Sequence, residues 1–324
     1  MNLVFNPFSP VPVNWKSHVR GWSLHWANCV KAQIAMKDSD LSQAATLYLD
    51  HGVNFSGGMN LFGGVTDDIV ARITQLVNHK GDLYSLDIPM PNYAEQLRKR
   101  IGQATCSKHL TQSLIDQFEL KLATAKTLTQ ADLKLPVVTI GDSHSTAFAP
   151  MGSAVLRTNG QTLYGALKNG VISQQIDALG YAPERVCLVY GSIDIRHHIG
   201  RQNDPEQALE ALCADYAKHV RMIQGEYLCE VEVAAPVPVE HEDRRIPQTG
   251  FYEGKPFSGS RAGRLEWTMS FIDQMRGHGL KVVTAPDDWY LMDGQRYAET
   301  YMELSSSVHI APAFYRRFDW GSLE

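Results

Sequence analysis

What the chain lacks narrows its chemistry before any motif is read. None of its 5 cysteines sits in a C-x-x-C pair, and an odd total does not suit a framework of structural disulfides. Cys29, Cys106, Cys187, Cys213 and Cys229 are scattered along the chain, so a reducing compartment is expected. No stretch approaches the roughly 20 apolar residues that a membrane helix requires. The start, MNLVFNPFSPVPVNWKSHV, has no charged segment followed by a long apolar run, and Pro7, Pro10 and Pro12 oppose a signal helix. These absences lead us to expect a cytoplasmic protein. Basic charge is not in excess either: 30 Lys and Arg against 35 Asp and Glu leave a net charge of -5. The chain therefore has no global field to collect nucleic acid through phosphate contacts.

What is present is ordinary for a globular protein: 324 residues, 44% hydrophobic and 20% charged. That length buries a real core without disulfide or metal staples, as one large or two small domains. Short β-branched runs at 44–50, 82–88, 136–142, 185–191, 230–236 and 281–287 read as buried parallel strands. Helical patterns separate them. Thr66 followed by Asp67 and Asp68 opens a helix with Ile69, Val70, Ile73, Leu76 and Val77 on one face, ending near Gly81. Residues 108–125 space Leu110, Leu114, Ile115, Phe118 and Leu122 as a helix, and Asp204-Pro205-Glu206-Gln207 caps another. Strands alternating with helices imply an α/β sheet covered on both faces. The softest boundary falls near 126–135. Two irregular stretches, 51–64 and 236–260, each follow a strand, and in open α/β sheets that is where ligands bind.

The sharpest motif is VVTIGDSHSTAF, in which a strand runs into Gly141-Asp142-Ser143-His144. A serine on a turn between a buried strand and a helix presents its hydroxyl at the carboxyl edge of the sheet, beside a backbone N–H. The bland alternative is that Asp142 and Ser143 only cap the helix. A later strand ends in Gly191-Ser192-Ile193-Asp194, and Val308-His309-Ile310 lies near the C-terminus.

This order of motifs, over residues 136–316, resembles the SGNH, or GDSL, hydrolase family. The resemblance implies a three-layer α/β/α sandwich with a mainly parallel, flavodoxin-like sheet at 131–324, and acyl-ester chemistry without a cofactor. Residues 1–130 are then an N-terminal α/β extension adding to the same body. The resemblance makes Ser143 the nucleophile, its own N–H an oxyanion donor, and His309 the base. It places the second donor at Gly165, with Gly170 the weaker match. The family's oxyanion asparagine is replaced by Ile193, which has no side-chain donor, so Arg196 or His197 substitutes or the site is weakened. The family's aspartate three residues before the histidine is replaced by Ser306; Glu303, Asp287 or Asp288 are the carboxylates that could orient His309 instead.

The segment Asp194-Ile195-Arg196-His197-His198 concentrates polar groups past a strand end, and Asp194, His197 and His144 are expected to contact substrate. Arg244, in the long loop, could meet an anionic part of it. The expected partner is a small-molecule, glycan-borne or nucleotide-like ester. A rival from another class uses Asp142, His144, Asp194, His197 and His198 as ligands for divalent metals in phosphoester hydrolysis. A third reading is a non-catalytic binding domain on the same scaffold. Acyl group, acceptor and oligomeric state are not legible in the sequence.

Overall fold

The structure is a computed structural model that describes residues 1–7, 18–36, 39–50, 64–86, 93–238, 258–303 and 308–317. The chain divides into two compact units, Met1–Leu133 and Lys134–Glu324. The glycine-rich stretch 51–63 and residues 239–257, with the expected substrate contact Arg244, lie outside the described residues.

In the first unit, strands β1 (Asn2–Phe5), β2 (Gln33–Ile34), β3 (Thr46–Asp50), β4 (Asp82–Leu86) and β5 (Lys126–Leu128) form one sheet. Their order is β2-β1-β3-β4-β5 and every pair is parallel. Helices α1 (His18–Cys29), α2 (Asp67–Asn78), α3 (Tyr93–Arg98), α4 (Gln112–Ala123) and α5 (Gln130–Leu133) connect and follow them. Thr66 caps α2 as its spacing predicts, its Oγ1 accepting from the Ile69 N–H at 3.4 Å. Ile69, Ile73 and Leu76 then pack on Leu3, Phe5 and Leu47 of the sheet. Parallel strands need crossovers, and because these are right-handed almost without exception, reversing the direction of travel at β1 and β3 puts helices on both faces.

The second unit repeats that plan with β6 (Val137–Gly141), β7 (Ala154–Arg157), β8 (Arg185–Val189), β9 (Glu230–Ala234) and β10 (Lys281–Val283). The order β10-β9-β8-β6-β7, all parallel, is the flavodoxin-like 2-1-3-4-5 arrangement when the strands are renumbered within the unit. Its helices are α6 (Ser145–Phe148), α7 (Leu163–Lys168), α8 (Val171–Asp177), α9 (Pro205–Tyr227), α10 (Arg261–Gly277), α11 (Asp287–Leu291) and α12 (Gly294–Tyr301). Asp204 caps α9 through a 2.9 Å bond from the Gln207 N–H, with Pro205 in its first turn. Alternate residues Val138, Ile140, Val186, Leu188, Val231 and Val233 face Ile172, Ile176, Tyr216, Val220 and Phe271 in one core. Glu232, one residue out of phase, is buried on the other face and is held by Arg185 at 3.3 Å and by the Lys281 ammonium.

Among the described residues the N-terminal strands form a sheet of their own, in which β1 and β3 pair in register. Four strands escaped notice because they are only 4, 2, 3 and 4 residues long. No described helix is long and apolar enough to cross a membrane.

At the carboxyl edge of the second sheet β6 and β8 approach closely. A Cβ on Gly141 would lie 2.2 Å from the Val189 carbonyl oxygen, a backbone atom that cannot swing aside. Gly141→Ala is therefore expected to destabilise the fold by about 3 kcal/mol, read as a lowered urea midpoint. A midpoint within error of the wild type would show that the two strands can separate there.

Candidate active site

Past Gly141 the chain must leave the sheet at once, and Asp142 organises the departure. Its N–H donates to Val189 O at 3.0 Å, and its Oδ1 accepts from the His144 N–H at 2.8 Å. Its carbonyl accepts from Ser145 Oγ at 2.9 Å. This is an Asx-type turn: the side chain takes over a backbone donor that would otherwise be orphaned at a helix start. Ser143 rides at the apex, half-buried, between fully buried Asp142 and buried His144.

His144 is a strut. One ring nitrogen, Nδ1, faces Asp142 Oδ1 at 3.0 Å, and the other, Nε2, faces the Val308 carbonyl at 3.1 Å. Its ring also packs at 5.4 Å, centroid to centroid, against the ring of His309. With both nitrogens engaged by the protein, His144 does not fit the substrate-binding role expected of it. It ties the Ser143 turn to the C-terminal segment instead.

That segment supplies the carboxylate missing from the D-x-x-H pattern. Met302 and Ile310 form an antiparallel bridge, and the Glu303 N–H donates to the His309 carbonyl at 2.9 Å. Glu303 Oε1 consequently stands 3.3 Å from His309 Nδ1, with both side chains more than four-fifths buried. Of the three carboxylates considered, Glu303 is the one that reaches; Asp288 accepts instead from the Tyr301 hydroxyl at 3.4 Å. Among the described residues no hydrogen bond joins Ser143 Oγ to His309.

Sequence reasoning missed Arg157. It ends β7 directly across from Gly141 in the sheet register, and its Nε donates to Asn159 Oδ1 at 2.6 Å. Burial pushes its guanidinium down to about 10, opposed by Tyr315 and by the carboxylates of Asp142 and Glu303. The half-buried Arg157 guanidinium thus interacts with the Asp142 and Glu303 carboxylates. The signal was an arginine directly after a three-residue apolar run and just before a T-N-G turn, AVLRTNG.

Other expected residues are used elsewhere. The Gly165 N–H donates to Thr162 Oγ1 at 3.0 Å, which is the cap of α7. That amide is spent on the helix and does not serve an oxyanion. Asp194 is not a substrate contact: its carboxylate accepts from the N–H groups of Leu163 at 2.7 Å and Tyr164 at 3.1 Å, where α7 begins. The chain past β8 is not extended. Asp194–His198 is a π-helical turn closed by the Ile199 N–H on Asp194 O, with Arg196 buried in it and His197 half-buried. The five residues of the metal rival therefore do not converge. Asp142 and His144 bond each other, Asp194 caps α7, and His198 lines a groove beside α9. Among the described residues no group of three or more His, Cys, Asp or Glu is placed to hold a metal.

No family model matches the chain. No curated protein matches it. Among solved structures it is similar to the acetyl xylan esterase AlAXEase, at 12% identity over 56% of this chain and 93% of that one, with a TM-score of 0.36. A protein of Slackia heliotrinireducens assigned as an SGNH hydrolase is 13% identical over 56% of this chain and 92% of that one, TM-score 0.38. LAE5, an α/β hydrolase from the metagenome of Lake Arreo, Spain, is 13% identical over 56% and 89%, TM-score 0.34. Likenesses this distant assign no function, and the residues have to.

The Asp194 cap has a measurable signature. Burial pushes its carboxyl up to about 6, outweighing the backbone N–H bonds from Leu163, Tyr164 and Asp194 itself that favour the charged form. An acid whose folded value lies above its unfolded one binds more protons when folded between those two values, so stability falls as pH rises through that window. Wild-type unfolding free energy is expected to increase from pH 7 to pH 4.5 relative to Asp194→Asn, by about 2 to 3 kcal/mol in total. Parallel pH profiles of the two proteins would refute the shift.

Proposed function

We propose that the Lys134–Glu324 unit is a serine-dependent acyl-ester hydrolase or acyltransferase. The observation that carries this reading is the Glu303–His309 pair, tied by His144 and Val308 to the turn that presents Ser143. A histidine with a buried carboxylate on Nδ1 has its tautomer set: Nδ1–H donates to Glu303, and Nε2 is left as a base. In acylation, Nε2 takes the Ser143 hydroxyl proton as Oγ forms a bond to the ester carbonyl carbon. The tetrahedral intermediate collapses with that proton passing to the leaving alcohol. In deacylation, His309 activates water or an acceptor hydroxyl or amine, and Ser143 leaves with the proton returned.

In this reading Ser143 Oγ and His309 Nε2 come within hydrogen-bond reach when substrate is bound, as catalytic groups often do. The Ser143 N–H, at the turn apex, is the oxyanion donor of this reading. Arg157 supplies a positive charge beside the two carboxylates. Each step uses only groups of this chain, and the substrate class is a small-molecule, glycan-borne or nucleotide-like ester.

Covalent labelling tests the nucleophile. A fluorophosphonate probe is expected to modify the wild type and not Ser143→Ala, and labelling of both alike would overturn the assignment. Glu303→Gln is expected to lower kcat/KM on a p-nitrophenyl ester by about 10²-fold, less than the ~10⁴-fold cost of neutralising the acid in a fully buried triad, with the thermal midpoint little changed. Wild-type kinetics in that variant would remove the orienting role.

The rival class is separated by metal removal. Esterase activity is expected to survive exhaustive EDTA treatment, since no step above involves a metal-bound water. Activity that vanished and returned with Mn²⁺ or Zn²⁺ would move the chemistry to the Asp and His residues.

A further inference from the structure

We propose that His144 is a positioning residue that works as an imidazolium, a pH-sensitive clasp holding the His309 segment to the Ser143 turn. Its effect on catalysis rests on the Ser143–His309 reading, while the clasp itself stands on hydrogen bonds.

Both partners of the His144 ring are acceptors. Nδ1 lies 3.0 Å from Asp142 Oδ1, and Nε2 lies 3.1 Å from the Val308 carbonyl oxygen. A carbonyl oxygen cannot donate, and Asp142 Oδ1 already accepts from the His144 backbone N–H at 2.8 Å. A neutral imidazole has one N–H, so either tautomer aims a lone pair at an oxygen, whereas the imidazolium donates to both. Bulk solvent does not reach the ring to repair such a mismatch, because the Asp142 and His144 side chains are each 1% exposed. The other Asp142 oxygen, Oδ2, is buried with no hydrogen-bond partner among the described residues. An ionised acid buried in this way needs a cation in contact.

The neighbouring charges do not by themselves call for that proton. His144 caps α6, which packs on β6, β7, β8 and the 3-10 turn Pro312–Arg317. The titratable groups around the ring are Asp142, the His309 imidazole, and beyond them Arg157, Glu303, Tyr190 and Tyr315. Asp142 and Glu303 favour a cation and Arg157 opposes one. The two acceptor contacts are what require it.

Loss of the second proton to solvent is asymmetric in its effect. The N–H that stays goes to the carboxylate, the stronger acceptor, and the tie to Val308 is the one that opens. Val308 directly precedes His309, whose ring packs at 5.4 Å on that of His144, so the opening frees the base from the turn that carries Ser143. A misplacement of about 1 Å costs as much as about 10²-fold in rate. Deprotonation of His144 therefore slows the reaction, although His144 takes no part in its proton transfers.

Nitrogen-15 NMR of the full chain labelled at its histidines reads the clasp without reference to activity. The ring whose signals vanish in His144→Gln is expected to show two solvent-protected N–H protons at the acid end of a titration and to lose one as pH rises. Should that variant not fold, the signals are assigned by their displacement in His309→Gln. Over the same pH interval, hydrogen exchange at the amides of Glu303 and Ala311, which bond to His309 O and Tyr301 O, is expected to accelerate beyond the solvent's own base catalysis. Wild-type kcat/KM on a p-nitrophenyl ester should decline across that interval. His144→Gln should lack the alkaline decline and should be slower by about 10²-fold at most, through kcat and not KM. A ring with a single N–H at every pH, or a second proton lost with no change in amide exchange, would overturn the proposal. An active His144→Gln that keeps the wild-type pH profile would overturn it as well. Should the spectra and exchange behave as expected in a protein with no esterase activity, the clasp stands and the esterase reading falls.

Discussion

The close approach of β6 to β8 at the carboxyl edge is the constraint on which the site depends. Gly141 has no Cβ, so the Val189 carbonyl can come near enough to accept from the Asp142 N–H. With its backbone anchored there, Asp142 turns its carboxylate onto the His144 backbone and ring, and Ser143 is pinned between them. His144 then reaches the Val308 carbonyl, and the histidine after Val308 meets Glu303. Each bond contributes only about 1 kcal/mol net. Buried polar atoms are costly to leave unpaired, however, so the turn, the strut and the C-terminal segment stand or fall together.

Glu303 stands at His309 without the sequence spacing that the resemblance implies. The resemblance places an acid three residues before the histidine, and Ser306 occupies that position. The antiparallel Met302–Ile310 bridge brings the other arm of the segment alongside, so a carboxylate six residues upstream stands at the imidazole. Hydrogen-bond geometry is what the chemistry requires, and spacing is only one way of producing it.

The two units share one strand order and differ in what they mount on it. The second sheet carries the Ser143 turn after its first strand, β6, whereas in the first unit a buried Asp50 ends the third strand, β3, and accepts from Ser23 Oγ at 2.6 Å. Topology decides where a site can lie, and side chains decide what it does.

Much of this was legible in the sequence, for reasons that are local. The caps at Thr66 and Asp204 need only side chains and backbone within a few residues, and the strand into G-D-S-H needs only an apolar run and a glycine. Parallel architecture followed from alternation of strands and helices. Tertiary structure alone decided the rest. The short strands β1, β2, β5 and β7 carry too few residues to show a period and exist because longer neighbours pair with them. Gly165 and Asp194 looked free on paper, yet one amide was taken by Thr162 and one carboxylate by α7, since orphaned groups at a helix start find whatever partner packing provides. Local bonding propensities are written residue by residue along the chain, whereas the choice of Glu303 for His309 and the place of Arg157 across from Gly141 depend on contacts that only the folded sheet and its C-terminal bridge create.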